Sequence, residues 1–293
     1  MKINEIFKHG KTVFSFEVFP PKKDAPIDTI YTTLSELKDL NPDFISVTYG
    51  AGGREAGNSK TCENASIIKD KYNITPVAHL TCVNSTKEEV LRELENLKNH
   101  GIENILALRG DIIPDIPRKN DFLHASELVS FIKENGNFHI SGACYPEVHQ
   151  DAANMIEDIT NLKKKVDAGA SYLVTQIFFD NSYYYRLVKE ARKRGITVPI
   201  LAGVMPITNA KSLLHTAKMC GCSIPYQLST MIESHYHSPA AMKEIGINYA
   251  THQIIDLITN GVDGIHIYTM NKPEIAKAIF DSIPTVLKEL NHE

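Results

Sequence analysis

Eight short runs rich in β-branched and aromatic residues, separated by longer segments of helical period, constrain this chain more than any other feature. The runs are Val13 to Phe19, Phe44 to Tyr49, Pro76 to Cys82, Asn104 to Leu108, His139 to Tyr145, Tyr172 to Phe179, Val198 to Val204 and Gly264 to Thr269. This alternation is the pattern of βα units around a parallel sheet, and eight of them predict a closed barrel. The segments between supply the outer cover: Ile27, Ile30, Leu34 and Leu37 lie on one helical stripe, and Val90, Leu91, Leu94 and Leu97 on another. Ser85 and Glu88 fit a capping box, and Pro26, Ser182 and Pro273 stand where helix starts are expected. No composition shift or Gly/Pro/Ser linker divides the 293 residues, and α/β barrels reach this length as one domain. The expectation is an α/β protein with a single (β/α)8 TIM barrel over residues 1–293. A nicotinamide Rossmann domain is disfavoured, because the first strand runs into Phe19-Pro-Pro-Lys22 rather than a GxGxxG turn.

Composition narrows the function. Apolar residues make up 43% of the chain and charged residues 23%, enough apolar material for a large core. A net charge of −4 with no basic stripe argues against nucleic acid as a partner. The N-terminus lacks a continuous apolar stretch and no later run has the length of a membrane span, so a cytoplasmic protein is expected. Five scattered cysteines, Cys62, Cys82, Cys144, Cys220 and Cys222, suit a reducing compartment and buried thiols. The Cys220/Cys222 pair lacks partner ligands, and His235 and His237 lie on a polar segment. No metal site is expected.

Barrel chemistry belongs at the carboxyl ends of the strands. Alternation along the first strand puts Ser15 and Glu17 on the opposite parity from Phe14, Phe16 and Val18, which points Glu17 at the barrel axis. The same rule turns Ser46 and Thr48, His79 and Thr81, and His266 and Tyr268 inward. A carboxyl group there has its charged form disfavoured by desolvation, which suits it to donating a proton near neutral pH; pairing with a lysine or arginine is the competing reading. In Leu108-Arg-Gly-Asp111 the glycine permits close approach to a ligand and charges flank it, either as a binding turn or as a salt bridge closing the loop. After Ala143-Cys-Tyr-Pro-Glu-Val-His149, a helix carries Met155, Ile156, Ile159, Leu162 and Val166 as its core stripe. Asp158, Asn161 and Lys165, with Lys164 adjacent, form a separate stripe that is either solvated or holds the phosphates and ribose of a long cofactor. Gln176 can read a heterocycle edge or satisfy backbone groups. Gly50-Ala-Gly-Gly53 reads as a mobile loop over the site.

Taken together, Phe14-Ser-Phe-Glu-Val-Phe-Pro-Pro-Lys22, Ser46-Val-Thr-Tyr-Gly-Ala-Gly-Gly53, His79-Leu-Thr-Cys82, Leu108-Arg-Gly-Asp111, Tyr145-Pro-Glu-Val-His149 and Lys164-Lys-Val-Asp-Ala-Gly-Ala170 resemble the bacterial methylenetetrahydrofolate reductases, in order, from about residue 1 to about residue 285. The resemblance implies an FAD-containing barrel of one-carbon metabolism that reduces 5,10-methylenetetrahydrofolate to 5-methyltetrahydrofolate with NADH or NADPH, and a homo-oligomer. It implies Glu17 as proton donor to a folate nitrogen and Asp111 as an electrostatic partner of flavin and pterin. Thr48, Tyr49, Ala51, His79, Arg109, Gly110, Asp111, Ala125, Tyr145, His149, Ala152, Asp158, Asn161, Lys164 and Lys165 match positions at or near FAD. Glu17, Asp111, Gln176, Tyr268 and Lys272 match the substrate side. Ser212 and Thr216 stand where the family places a glutamine and an aromatic residue, and Lys272 where it places an arginine. Threonine offers no aromatic face, so the electron donor or its mode of binding is expected to differ, with an electron-delivering partner subunit as the alternative to direct nicotinamide oxidation. Another flavin barrel resembling proline dehydrogenase, or a flavin-bearing subunit of a larger complex, are the competing functions.

Overall fold

A computed structural model describes residues 2–9, 12–21, 28–49, 55–112 and 118–290. Its strands are β1 (Val13–Val18), β2 (Phe44–Val47), β3 (Thr75–Thr81), β4 (Asn104–Leu108), β5 (His139–Cys144), β6 (Tyr172–Thr175), β7 (Ile200–Val204) and β8 (Gly264–Tyr268). Each pairs in parallel with the next, and β1 pairs with β8, so the sheet closes as an eight-stranded barrel. The helices are α1 (Asp28–Lys38), α2 (Glu55–Asp70), α3 (Lys87–Asn99), α4 (Ala125–Asn135), α5 (Met155–Ala168), α6 (Asn181–Lys193), α7 (Ala210–Cys220), α8 (Tyr226–His235), α9 (Pro239–Thr259), α10 (Pro273–Ser282) and α11 (Pro284–Leu290). The expected (β/α)8 architecture is therefore present, with two additions: three helices, not one, separate β7 from β8, and α11 follows α10.

Period two divides the strand residues between two cores. Phe14, Phe16, Val18, Ile45 and Val47 face outward under the helices. Val13, Phe44, Val77, Leu106, Tyr172, Val174 and Leu201 fill the lower barrel, closed from beneath by Ile3 and Ile6 of a short 3-10 helix, Ile3–His9. This plug is registered by the Ile3 N–H donating to Asn104 Oδ1 at 3.1 Å, while Asn104 Nδ2 donates to the Pro76 carbonyl at 3.2 Å. Above this largely apolar floor, the carboxyl-end layer carries Ser15, Glu17, Ser46, His79 and His266.

Several local expectations shift. The capping box at α3 uses Thr86 and Glu89, one residue beyond Ser85 and Glu88, because Ser85 Oγ donates instead to the Thr81 carbonyl. On α5 the buried stripe runs through Ile159 and Leu162 with Met155 and Val166 half-buried, but Ile156 lies off that line and is 64% exposed. The sixth strand stops at Thr175, and Asp180 caps α6 by accepting the Ser182 N–H. Pro273 does begin α10. Pro26, Ile27 and Gly50 to Gly53 lie outside the described residues. All five cysteines are free thiols, with Cys62, Cys82 and Cys144 buried. Among the described residues no helix is long and apolar enough to cross a membrane.

Candidate active site

Above the apolar floor, β1, β2, β3 and β8 converge on Glu17, as the strand parity predicts. Register places Glu17 opposite Ser46 on one side and Tyr268 on the other. The side chain is buried, and its Oε2 lies 3.4 Å from His79 Nε2 and 3.7 Å from His266 Nε2. Among the described residues its ion-pair partners are two imidazoles rather than a lysine or an arginine. Burial drives the pKa of His79 down to about 4, against the opposing pull of Glu17 and with a small further push from His266, so its ring is neutral at working pH. His266 is held by Ser15 Oγ at 2.7 Å from Nδ1 and Ser46 Oγ at 3.4 Å from Nε2.

Tyr268 closes one side of this layer. Its hydroxyl donates to the Thr175 carbonyl at 2.6 Å, and its ring meets His266 edge-on at 5.2 Å. Gly203 makes the crossing possible: a Cβ there would fall 2.4 Å from the Thr175 oxygen and 2.7 Å from the tyrosine ring. Gln176, just past β6, turns its Oε1 to the Ile177 N–H, so its amide nitrogen remains for a ligand. Lys272 donates to Thr208 Oγ1 at 2.8 Å, which ties the loop after β8 to the start of α7.

A second feature adjoins this layer. Between the ends of β4 and β5 and the helices α4 and α5 lies a cavity of about 260 Å³, lined by Arg109, Ala125, Tyr145, His149, Ala152, Asp158, Asn161, Lys164 and Lys165 among others. Arg109 pairs with Asp151 at 2.6 Å and not with Asp111, which corrects the reading of the Arg-Gly-Asp turn as a self-closing salt bridge. Asp111 is exposed, with its charge felt by Tyr145 and Cys220. Gly110 keeps φ at +86°, and a Cβ there would meet the Thr81 side chain at 3.0 Å. The loop after β5 is shaped by Val148 at φ +75°, a strained value for a β-branched residue, and it stacks Tyr145 edge-on against His149 at 4.5 Å. Asp158 fixes the loop by accepting the His149 N–H at 3.0 Å. Burial raises the Asp158 pKa, against the His149 hydrogen bond, and lowers that of Lys165, whose Nζ donates to the Ala143 carbonyl at 2.6 Å.

The chemistry of this lining suits a dinucleotide. α4 begins without a side-chain cap, and its first residues Ala125 and Ser126 line the cavity together with Arg109 and Lys164, a donor set for phosphate oxygens. Asn161 and Asp158 offer acceptors for ribose hydroxyls. Two further positions expected near the cofactor do not line this cavity: His79 is inside the barrel with Glu17, and Tyr49 packs against the outer core. Thr48 lies at the end of β2, where its carbonyl accepts from Thr61 Oγ1 at 3.0 Å. Ala51 lies outside the described residues. Sequence reasoning missed His124, Ser126, Cys144, Asp151 and Glu157, all of which line the same cavity. The available signal for Asp151 was its place at the end of the Tyr145 to Asp151 loop, within reach of a charged strand end.

A larger cavity, about 740 Å³, opens between α6, α8 and α9, and neither Glu17 nor either of its imidazoles lines it.

The family model described as methylenetetrahydrofolate reductase matches residues 2–284. The chain belongs to the methylenetetrahydrofolate reductase family. The 5,10-methylenetetrahydrofolate reductase of Pectobacterium carotovorum is 37% identical over 270 residues, covering 92% of this chain and 89% of its own. The Escherichia coli reductase is also 37% identical over 270 residues, with 92% and 90% covered. An NADH reductase of Arabidopsis thaliana is 35% identical over 293 residues, and there the match covers 95% of this chain but 49% of the plant protein. A Clostridium thermocellum protein solved with two copies of 5-methyl-5,6,7,8-tetrahydrofolic acid shares the fold, with a TM-score of 0.65 at 13% identity over 100% of this chain and 99% of that one. Membership of the reductase family sets aside the proline dehydrogenase-like alternative.

Two buried imidazoles should make the folded chain acid-sensitive. Burial lowers the pKa of His139, helped by the charge of Lys2, to about 4, as it does for His79, against 6.5 when exposed. Between pH 6.5 and 4 the unfolded chain therefore binds more protons than the folded one, and stability falls as pH falls through that window. The melting temperature should drop by several degrees between pH 7 and pH 5, and His139→Gln should flatten that slope; an unchanged melting temperature would contradict the assignment of neutral rings.

Proposed function

We propose that the chain is an FAD-dependent reductase that converts 5,10-methylenetetrahydrofolate to 5-methyltetrahydrofolate, acting as a single catalytic domain in a cytoplasmic homo-oligomer. The observation that carries this reading is a buried carboxyl group, Glu17, which among the described residues has two imidazoles and no lysine or arginine as partners, near a cavity lined by Arg109, Lys164 and Lys165. FAD, when bound, would act as a two-electron carrier, accepting hydride from the donor and passing it to the folate.

The protein's own residues would do the rest. Arg109, Lys164 and the first turn of α4 would hold the pyrophosphate, and Asp158 and Asn161 the ribose. Glu17 would deliver a proton to the folate nitrogen whose departure opens the five-membered ring, leaving an iminium on the substrate. The fixed charge of Asp111 would favour that cation, and Gln176 would orient the pterin edge. Tyr268 and Lys272 would border the folate on the β8 side. Purified protein should be yellow and should form 5-methyltetrahydrofolate from the methylene form when supplied with a reductant. Colourless protein that stays inactive after addition of FAD would end the reading.

The electron donor follows from α7. Ser212 is exposed and Thr216 half-buried one turn further along, and threonine cannot stack on a nicotinamide. NADH is therefore a poor direct reductant in this reading, with a partner subunit as the physiological source. Thr216→Phe should speed NADH-driven flavin bleaching up to about tenfold, the worth of one aromatic pair. Rapid bleaching of the unmodified protein by NADH, unaffected by the substitution, would instead make nicotinamide the direct donor.

A further inference from the structure

We propose that Ser15 sets the tautomer of His266 so that an unprotonated Nε2 faces Glu17 and keeps that side chain in its proton-donating form, making Ser15 and His266 positioning residues for the acid. The inference rests on the reading of Glu17 as proton donor.

Two contacts fit one tautomer. Ser15 Oγ has one proton, and the Ile265 carbonyl at 3.3 Å can only accept it. With that proton given to the carbonyl, the 2.7 Å contact with His266 Nδ1 runs from Nδ1–H to Ser15 Oγ. Ser46 Oγ approaches Nε2 at 3.4 Å, a contact that a hydroxyl can make to a ring nitrogen carrying a lone pair. Both contacts are met by a ring whose single proton sits on Nδ1.

The consequence falls on Glu17. Its Oε2 lies 3.7 Å from the Nε2 lone pair of His266. A carboxylate oxygen would face that lone pair with no proton between them, whereas a carboxylic acid can donate to it. His79 adds no compensating cation: its Nε2 is 3.4 Å from the same oxygen, has no hydrogen-bond partner, and belongs to a ring that burial keeps neutral. The remaining titratable group against His266 is Tyr268, edge-on at 5.2 Å with its proton committed to the Thr175 carbonyl; Phe44 covers the other side at 6.0 Å. Around the acid, β1 and β2 thus present the Ser15 and Ser46 hydroxyls and β3 a neutral imidazole.

The most direct test is ¹⁵N NMR of histidine-labelled holoenzyme at neutral pH, with the His266 signal assigned by its loss in His266→Gln. The Nδ1–H tautomer is expected, and an Nε2–H or doubly protonated ring would overturn the proposal whatever the substrate. Ser15→Ala supplies the kinetic arm. Without its acceptor the ring would switch to Nε2–H and donate to Glu17, which favours the carboxylate. The alkaline limb of the pH profile should then move about one pH unit toward acid, and Ser15→Thr, which retains an Oγ acceptor, should leave it in place. A uniform loss of rate at every pH with the limb unmoved would show a packing role only and overturn the proposal. Full turnover by Glu17→Gln would defeat the acid reading separately, because the tautomer is measured without it.

Discussion

Glu17→Gln should lower turnover by about 10²- to 10⁴-fold, the usual worth of a positioned general acid, while the protein stays folded and yellow. The amide has the shape of the acid and can still donate to a neutral imidazole, so the buried layer of Ser15, Ser46, His79 and His266 loses little packing. It has no proton to give, however, and the folate ring then loses its acid. The loss should appear in kcat with the apparent affinity for folate little changed, since the group acts in the transition state rather than in ground-state binding. Glu17→Asp keeps the acid but withdraws it by one methylene, and an intermediate loss is expected. Equal damage to folate affinity and turnover would make Glu17 a binding group.

Gly246→Ala should be the most damaging substitution away from the chemistry. Gly246 lies inside α9, where a Cβ would stand 1.5 Å from the Ile207 carbonyl oxygen and 2.4 Å from its carbon. Both atoms are backbone, so no rotamer change relieves the overlap and α9 must separate from the loop after β7. That movement would open the cluster of Ile207, Leu213, Leu228, Ile232 and Met242, which holds the extra helices to the barrel. A cost of about 3–5 kcal/mol is expected, comparable to the largest core substitutions and a large share of the stability of an ordinary domain. Because the same loop carries Thr208, the partner of Lys272, folate binding should weaken along with thermal stability. A melting temperature within a degree or two of the original would mean that α9 is not seated where the structure has it.

What could be read from the sequence follows from the periodicity of each element. Strand parity is a local property with a two-residue repeat, so the inward side chains of β1, β2, β3 and β8 were legible residue by residue, and Glu17, His79 and His266 do meet. The stripe of Asp158, Asn161, Lys164 and Lys165 was equally visible as helical spacing, and it faces the cavity rather than solvent alone. The partners of those groups were not legible. Arg109 joins Asp151 across 42 residues, and the choice between Asp111 and Asp151 depends on how two loops approach in space. Tyr49 shows the opposite limit: it follows a strand end among the expected site residues, yet its ring packs against the outer core. The helices α8 and α9 escaped the βα pattern because a hydrophobic period announces a helix without saying whether it covers the barrel or another helix.

The account depends most on Glu17 acting in the folate half of the reaction, and a single-turnover experiment isolates that step from the identity of the donor. Holoenzyme reduced anaerobically with dithionite is mixed with 5,10-methylenetetrahydrofolate, and the return of the oxidised flavin absorbance is followed in the original protein and in Glu17→Gln. Fast return in the first and a rate lower by about 10²-fold or more in the second is the predicted result. Equal rates in the two proteins would contradict it.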